Sequence, residues 1–200
     1  MKPGYLAALA AMGAACMMTA CGPETAIGVA ATAGSAAMEE RGFSAAVADA
    51  TIKAKLNARF FGQSSEMWEG LSVQVIEGRV LLSGKVREPD MRVNAVRIAW
   101  QVDGVREVIN EIKLTDRSVA GSMARDTWIS TKLKTRLLFD RDVLAINYSI
   151  VTVGGVIYVM GIAQNQAELD RVIDHARDIA DVRGVVSYVL LKDDPHRKET

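Results

Sequence analysis

The chain repeats itself. Displaced by 77 positions, residues 47–114 align with residues 124–191 without a gap. Asp49 meets Asp126, Ile52 meets Ile129, Lys55 meets Lys132, Leu56 meets Leu133 and Arg59 meets Arg136. Farther on, Gly78 meets Gly155, Gly84 meets Gly161, Ala99 meets Ala176, Val105 meets Val182, Val108 meets Val185 and Leu114 meets Leu191. Chance does not place turn glycines and apolar positions in one register, and such a repeat constrains the architecture before any local motif does. The chain reads as two copies of one small domain, joined by the polar, Gly-containing stretch Thr115–Met123.

Both copies carry the same order of elements. Ile52, Leu56 and Phe60, and in the second copy Ile129, Leu133 and Leu137, recur every fourth residue and predict an apolar helix stripe. Asp49 and Asp126 stand three residues ahead of these stripes, where a carboxylate suits the first turn or the cap of a helix. Alternating runs follow: Leu71, Val73, Val75 then Val80, Leu82, Gly84, Val86 around Glu77-Gly78, and Tyr148, Ile150, Thr152 then Ile157, Val159, Gly161 around Gly154-Gly155. They predict hairpins whose glycines supply the positive φ of the turn. A second helix opens at Pro89, or within 164–168, with Val93, Val96 and Ala99, or Val172, Ile173 and Ala176, expected inward. A last strand within 105–114, or 182–191, completes the order αββαβ. Asp181 replaces Gly104 ahead of that strand, and Asp tolerates a left-handed conformation better than most residues.

The first twenty residues read differently. Lys2 precedes an Ala-, Leu- and Met-rich run from Tyr5 to Ala20, a short basic region and an apolar region of a targeting segment. The run is too short and Ala-rich for a spanning helix, which needs about 20 apolar residues with anchoring flanks. Met18-Thr19-Ala20-Cys21 resembles the lipobox of bacterial lipoproteins, with Met18 where Leu is usual. Cys16 is the competing acceptor, but Gly13-Ala14-Ala15 ahead of it lacks the large apolar residue. A retained anchor helix, and a plain secretory signal leaving a free thiol, are the alternatives. Cleavage before Cys21 would remove Cys16 and leave no partner for an intramolecular disulfide. Gly22 after the acceptor, by resemblance to sorting in enteric bacteria, favours the outer membrane. Several acyl chains at roughly 0.8 kcal/mol per buried CH₂ would anchor the chain without spanning the bilayer. From Thr25 to Ala37 the residues are small and uncharged, which reads as a tether.

The paired segments "GRVLLSGKV", "VDGVREVINEIKL" and "GVIYVMGIA", "IADVRGVVSYVLL" resemble the BON domain. The helix "DTWISTKLKTRLL" directly after a short linker is similar to the second domain of dual-BON outer-membrane lipoproteins. The resemblance covers residues 47–191 and extends to the lipobox and tether. It implies an α+β fold of two tandem αββαβ domains, each a three-stranded mixed sheet covered by two helices. The expected organisation is a signal peptide over 1–20, a lipidated tether over 21–43, BON domains over 44–115 and 123–192, and a charged tail over 193–200. The resemblance also implies binding of an anionic phospholipid membrane through the first helix of the second domain, at the periplasmic face of the outer membrane, in support of envelope integrity.

The residues of that helix suit the task. On a helical wheel Ile129, Leu133 and Leu137 centre the buried face, while Arg125, Trp128, Lys132, Thr135 and Phe139 form an adjacent outward stripe. Aromatic rings beside cations suit the headgroup boundary. The first copy is an internal control, with Ala48, Thr51, Lys55, Ala58 and Gly62 at these positions. The competing reading packs Trp128 against the first domain as a plug. The protein would then be an adaptor docking on an envelope assembly or division complex.

Other chemistries find little support. Lys plus Arg equals Asp plus Glu, 24 each, so no overall basic field points to nucleic acid. His175 and His196 stand in no spacing that suits a metal site or a catalytic triad, and there is no phosphate-cradling GxxxxGK. Neither an enzyme, a cofactor, a metal nor a small-molecule substrate is expected. Trp68 and Trp100 are expected to pack in the core or between domains.

Overall fold

The computed structural model describes residues 39–115 and 120–197. The targeting segment, Cys21 and the tether as far as residue 38 lie outside the described residues, as do 116–119 of the linker and the last three residues.

The first copy runs α1 (Gly42–Gln63), α2 (Ser65–Gly70), β1 (Leu71–Ile76), β2 (Arg79–Val86), α3 (Pro89–Trp100) and β3 (Glu107–Leu114). The second runs α4 (Ala120–Phe139), β4 (Tyr148–Val153), β5 (Val156–Ala163), α5 (Gln166–Arg177) and β6 (Gly184–Leu191). Each copy forms one three-stranded sheet, β1-β2-β3 and β4-β5-β6. The first two strands pair antiparallel and the last joins parallel through a helical crossover, so both sheets are mixed as expected.

Each hairpin turns on two residues with positive φ. Glu77 and Gly78 have φ of 52° and 72°, and Gly154 and Gly155 have 61° and 81°. Asp181, at φ 67°, does adopt the left-handed conformation that Gly104 takes at 91° in the first copy.

The two acids that recur in the repeat are not caps. α1 starts at Gly42, so Asp49 lies two turns inside the helix on its buried face. Its carboxylate accepts the turn amides of Glu77 and Gly78, both at 2.8 Å, and also meets Arg41 Nη1 at 2.6 Å. Asp126 does the same for Gly154 and Gly155, at 2.8 and 2.9 Å. A carboxylate on the helix thus ties down a hairpin turn about 28 residues away.

Helix stripes and inward strand residues build one core per copy. The first gathers Ile52, Leu56 and Phe60 with Val80, Leu82 and Ala99, and the second Ile129, Leu133 and Leu137 with Ile157, Val159 and Ala176. α3 is rotated from the expected phase: Ala95, Ile98 and Ala99 are buried, while Val93 is 65% exposed. α5 follows the expected stripe, with Val172 and Ala176 fully buried and Ile173 at the margin.

A third apolar cluster joins the copies. Because side chains alternate across a strand, β2 sends Val80 and Leu82 to its helices and Leu81 the other way. β5 likewise sends Tyr158, Met160 and Ile162 away from α4 and α5. These side chains and Ile76 meet between the two sheets, giving the layer order helix, sheet, sheet, helix. Burial of such side chains stabilises by roughly 1.5–3 kcal/mol each. Polar contacts add to the junction: Arg79 Nη1 donates to Tyr188 O at 3.1 Å, and Arg197 Nη2 to Glu77 Oε1 at 2.8 Å. The charged tail is therefore clamped on the first hairpin turn through Arg197. Glu40 N donates to Asn147 Oδ1 at 2.9 Å, so the end of the expected tether is folded against the second copy.

Candidate functional site: the outer face of the second domain's long helix

Ile129, Leu133 and Leu137 fix the rotation of α4. All three are at most 1% exposed, seated over β4 and β5. With the core face set, 100° per residue carries Arg125, Trp128, Lys132, Thr135 and Phe139 onto one outer flank. Trp128 is 47% exposed and Phe139 80%. Arg125 and Thr135 are also exposed, and Lys132 is partly covered. The structure thus brings all five predicted residues together on the solvent side of α4.

Lys132 is partly covered because its Nζ lies over the Trp128 ring, 4.6 Å from the centroid. A cation over an indole face is attractive, about 0.5–1 kcal/mol at an exposed site. The pair presents a positive charge and an apolar ring as one unit. Trp128 is no plug between the domains; the outer helix layer holds it on the far side of its sheet from the shared cluster. Thr135 contributes less polarity than its type suggests, because its Oγ1 donates to Thr131 O at 2.9 Å.

Acidic groups near the stripe are already engaged. His175 Nε2 lies 2.6 Å from Asp140 Oδ2, and Arg171 reaches Asp142 at 3.1 Å and Asp140 at 3.8 Å. The His175 contact, the Asp142 amide and Arg171 hold the Asp140 carboxyl below its ordinary value. Cations along the stripe are therefore not cancelled from the C-terminal end of α4.

Leu138 belongs to this surface although it lies outside the predicted outward stripe. It is 71% exposed, beside Phe139. Its signal was available: it follows Leu137 of the buried stripe and so must point elsewhere. The equivalent Phe61 of the first domain is also exposed, packed edge-on against Trp68 with ring centroids 6.0 Å apart. Trp68 and Trp100, expected in the core or between domains, are 44% and 54% exposed. Both sit on the outer helices of the first domain, which the sheet-to-sheet junction leaves facing solvent.

Among the described residues no three or more His, Cys, Asp and Glu side chains gather as a metal site would need. No described helix is long and apolar enough to cross a membrane.

Two tandem mixed-sheet domains with this helix placement define a class, and comparison with known proteins agrees. The BON domain family matches residues 48–116 and again 125–193; the chain belongs to the BON-domain family. A protein of Anaplasma centrale described as "Uncharacterized protein in gshII 5'region" is 44% identical over 145 residues, 72% of this chain and 95% of its own length. The outer membrane lipoprotein DolP of Haemophilus influenzae is 28% identical over 162 residues, 80% of this chain and 83% of that one. The osmotically-inducible protein Y of Escherichia coli is 30% identical over 147 residues, covering 72% and 73%.

Proposed function

We propose that this is a non-enzymatic envelope protein, lipid-anchored through Cys21 at the periplasmic face of the outer membrane, that binds anionic phospholipid through α4 and supports outer-membrane integrity. The likeness to an outer membrane lipoprotein over four-fifths of the chain supports the location. The observation that carries the binding reading is the exposed Trp128 with Lys132 over its ring, with Leu138 and Phe139 exposed at the end of the same helix. Rings of this kind settle at the headgroup boundary while the ammonium meets phosphate.

The test is cosedimentation of the full-length chain with anionic vesicles, with circular dichroism on the same samples. Trp128→Ala is expected to lose most vesicle binding with an unchanged spectrum. Unchanged binding, or an unfolded second domain, would overturn the reading.

One observation favours an additional protein partner. Phe61 and Trp68 expose an aromatic pair on the first domain, and that pair is on the opposite outer layer from α4. A flat bilayer meeting α4 leaves it available. A Phe61→Ser, Trp68→Ser double variant that keeps vesicle binding but no longer restores detergent resistance to a deletion strain supports the adaptor role. Full restoration removes it.

A further inference from the structure

We propose that the first domain binds an uncharged carbohydrate chain in the groove where α1 and α3 end side by side. The groove measures about 620 Å³ and is lined by Arg59, Gly62, Gln63, Arg97, Ile98 and Gln101. That is within the range of small-ligand sites. Ile98 belongs to the core of the domain and gives the groove an apolar base. A Cβ built on Gly62 meets nothing within 4 Å, so the glycine leaves its part of the groove open.

The polar groups here are of both kinds and are held in place by one another. Arg59 Nη1 donates to Gln101 O at 3.0 Å, a bond from α1 to the residue that ends α3. Arg97 Nη2 donates to Asn94 Oδ1, and Asn94 Nδ2 to Gln63 Oε1 at 3.4 Å, so the side chains of α3 reach across to α1. These bonds use one N–H of each guanidinium and only the oxygen of Gln63, which leaves further donors on all three residues. Acceptors come from the backbone. Both helices finish at the groove, and the carbonyls of a last turn have no amide donor inside their own helix. Trp100 adds an apolar plate: it is 54% exposed and follows Arg97 by three residues, which makes the two neighbours on the surface of α3.

A sugar ring fits that combination. Each hydroxyl both donates and accepts, so a ring with several of them needs donors and acceptors close together, and its C–H face can lie flat on an indole. An anion is less suited, because both helices present the negative ends of their dipoles here. The repeat shows that the fold does not require these residues. At the equivalent positions of the second copy Phe139 stands for Gly62, Asp140 for Gln63, Asp174 for Arg97, Arg177 for Trp100 and Asp178 for Gln101. The open floor, the neutral amides and the ring are all replaced, so the site is single.

The groove shares no residue with the stripe on α4 and does not depend on how the chain meets a membrane. Chitotetraose and maltotetraose, two uncharged sugar chains, are the probes, titrated into the full-length chain in a polyoxyethylene detergent, which carries no sugar. Calorimetry should show one saturable site for at least one of them. The Gly62 amide and Trp100 indole resonances should shift, and those of Phe139 and Trp128 should not. Trp100→Ala removes an exposed ring and should weaken binding about tenfold. Gly62→Phe, which copies the second domain, should abolish binding while circular dichroism stays that of the parent, since the space at Gly62 is open. Trp128→Ala should bind the sugar as the parent does even where it loses vesicles, so failure of the stripe and failure of the groove give different results. No saturable binding of either probe, or binding that survives both Trp100→Ala and Gly62→Phe, overturns the proposal. Tighter binding of tetragalacturonate than of both uncharged chains also overturns it, and assigns the groove to an anion.

Discussion

Tyr188 Oη donates to Glu111 Oε1 at 2.5 Å, a bond from the last strand of the second domain to the last strand of the first. Lys113 Nζ holds the other oxygen of the same carboxylate at 2.9 Å. Burial works to raise the Glu111 carboxyl, but the bonds from Tyr188 and Lys113 outweigh it and the net shift is downward. Burial and the Glu111 bond push the Tyr188 phenol up. The two domains are thus coupled by an ionisable contact beside their shared apolar cluster.

Tyr188→Phe removes that bond without removing the ring. The expected loss is about 1 kcal/mol, a fall of about 2–4 °C in melting temperature by scanning calorimetry. The pH dependence has a definite sign. A carboxyl lowered on folding contributes stability above its ordinary value of 4.5, and this is lost as pH falls through the lowered value. A phenol raised on folding contributes fully below its ordinary value of 10.0 and loses that contribution as pH rises beyond it. Tyr188→Phe should flatten both limbs of the stability curve. Equal slopes in parent and variant would show that the bond does not form in solution.

Asp126 anchors a turn rather than starting a helix, and its removal should be felt at that turn. Asp126→Ala leaves the Gly154 and Gly155 amides without their acceptor. Stranding two such donors costs about 3 kcal/mol in total. Denaturant unfolding measures the loss, and hydrogen exchange locates it: the two amides should exchange far faster while Gly78, held by Asp49, stays protected. Uniform loss of protection across both hairpins would refute a local anchor.

These two acids also mark how far the sequence could be read. The repeat, the helix stripes and the Gly turns placed nearly every element, because each is a local periodicity. A carboxylate three residues before an apolar stripe looks like a cap, whereas its true partners lie far along the chain. Leu81, Tyr158 and Met160 were apolar out of phase with their strands, which is the mark of a sheet buried on both faces, but alternation drew attention to the other parity. The stripe on α4 was legible from the rotation set by Ile129, Leu133 and Leu137.

Two glycines separate steric need from habit. Gly84 has φ 128°, and a Cβ there would stand 2.1 Å from Gly70 O. Gly84→Ala should destabilise by at least about 3 kcal/mol, through backbone strain and a backbone clash that no rotamer relieves. Gly62, near the end of α1, has nothing within 4 Å of its Cβ position. Gly62→Ala should stabilise by about 0.5 kcal/mol through helix propensity. Thermal melts of the pair give opposite signs if the close approach of β2 to Gly70 is real, and the same sign if it is not.

Lys132 offers the sharpest test of how α4 meets a membrane, because its charge and its contact with Trp128 can be altered apart. A cation close to an anionic surface contributes about 1 kcal/mol, so Lys132→Glu, which reverses the charge and costs about twice that, should weaken binding to anionic vesicles about thirtyfold at low salt. Salt screens such interactions, and the deficit should shrink as ionic strength rises. Lys132→Met keeps an unbranched apolar stem against the indole and should lose only the charge contribution, roughly a fifth of the parent affinity remaining. Lys55→Glu, at the equivalent place in the first domain, should change little, since Thr51 and Ala58 give it no aromatic neighbour on its stripe. Cosedimentation across a salt series decides the matter. If Lys55→Glu and Lys132→Glu weaken binding equally, attraction is set by overall charge, and α4 is not the face that touches lipid.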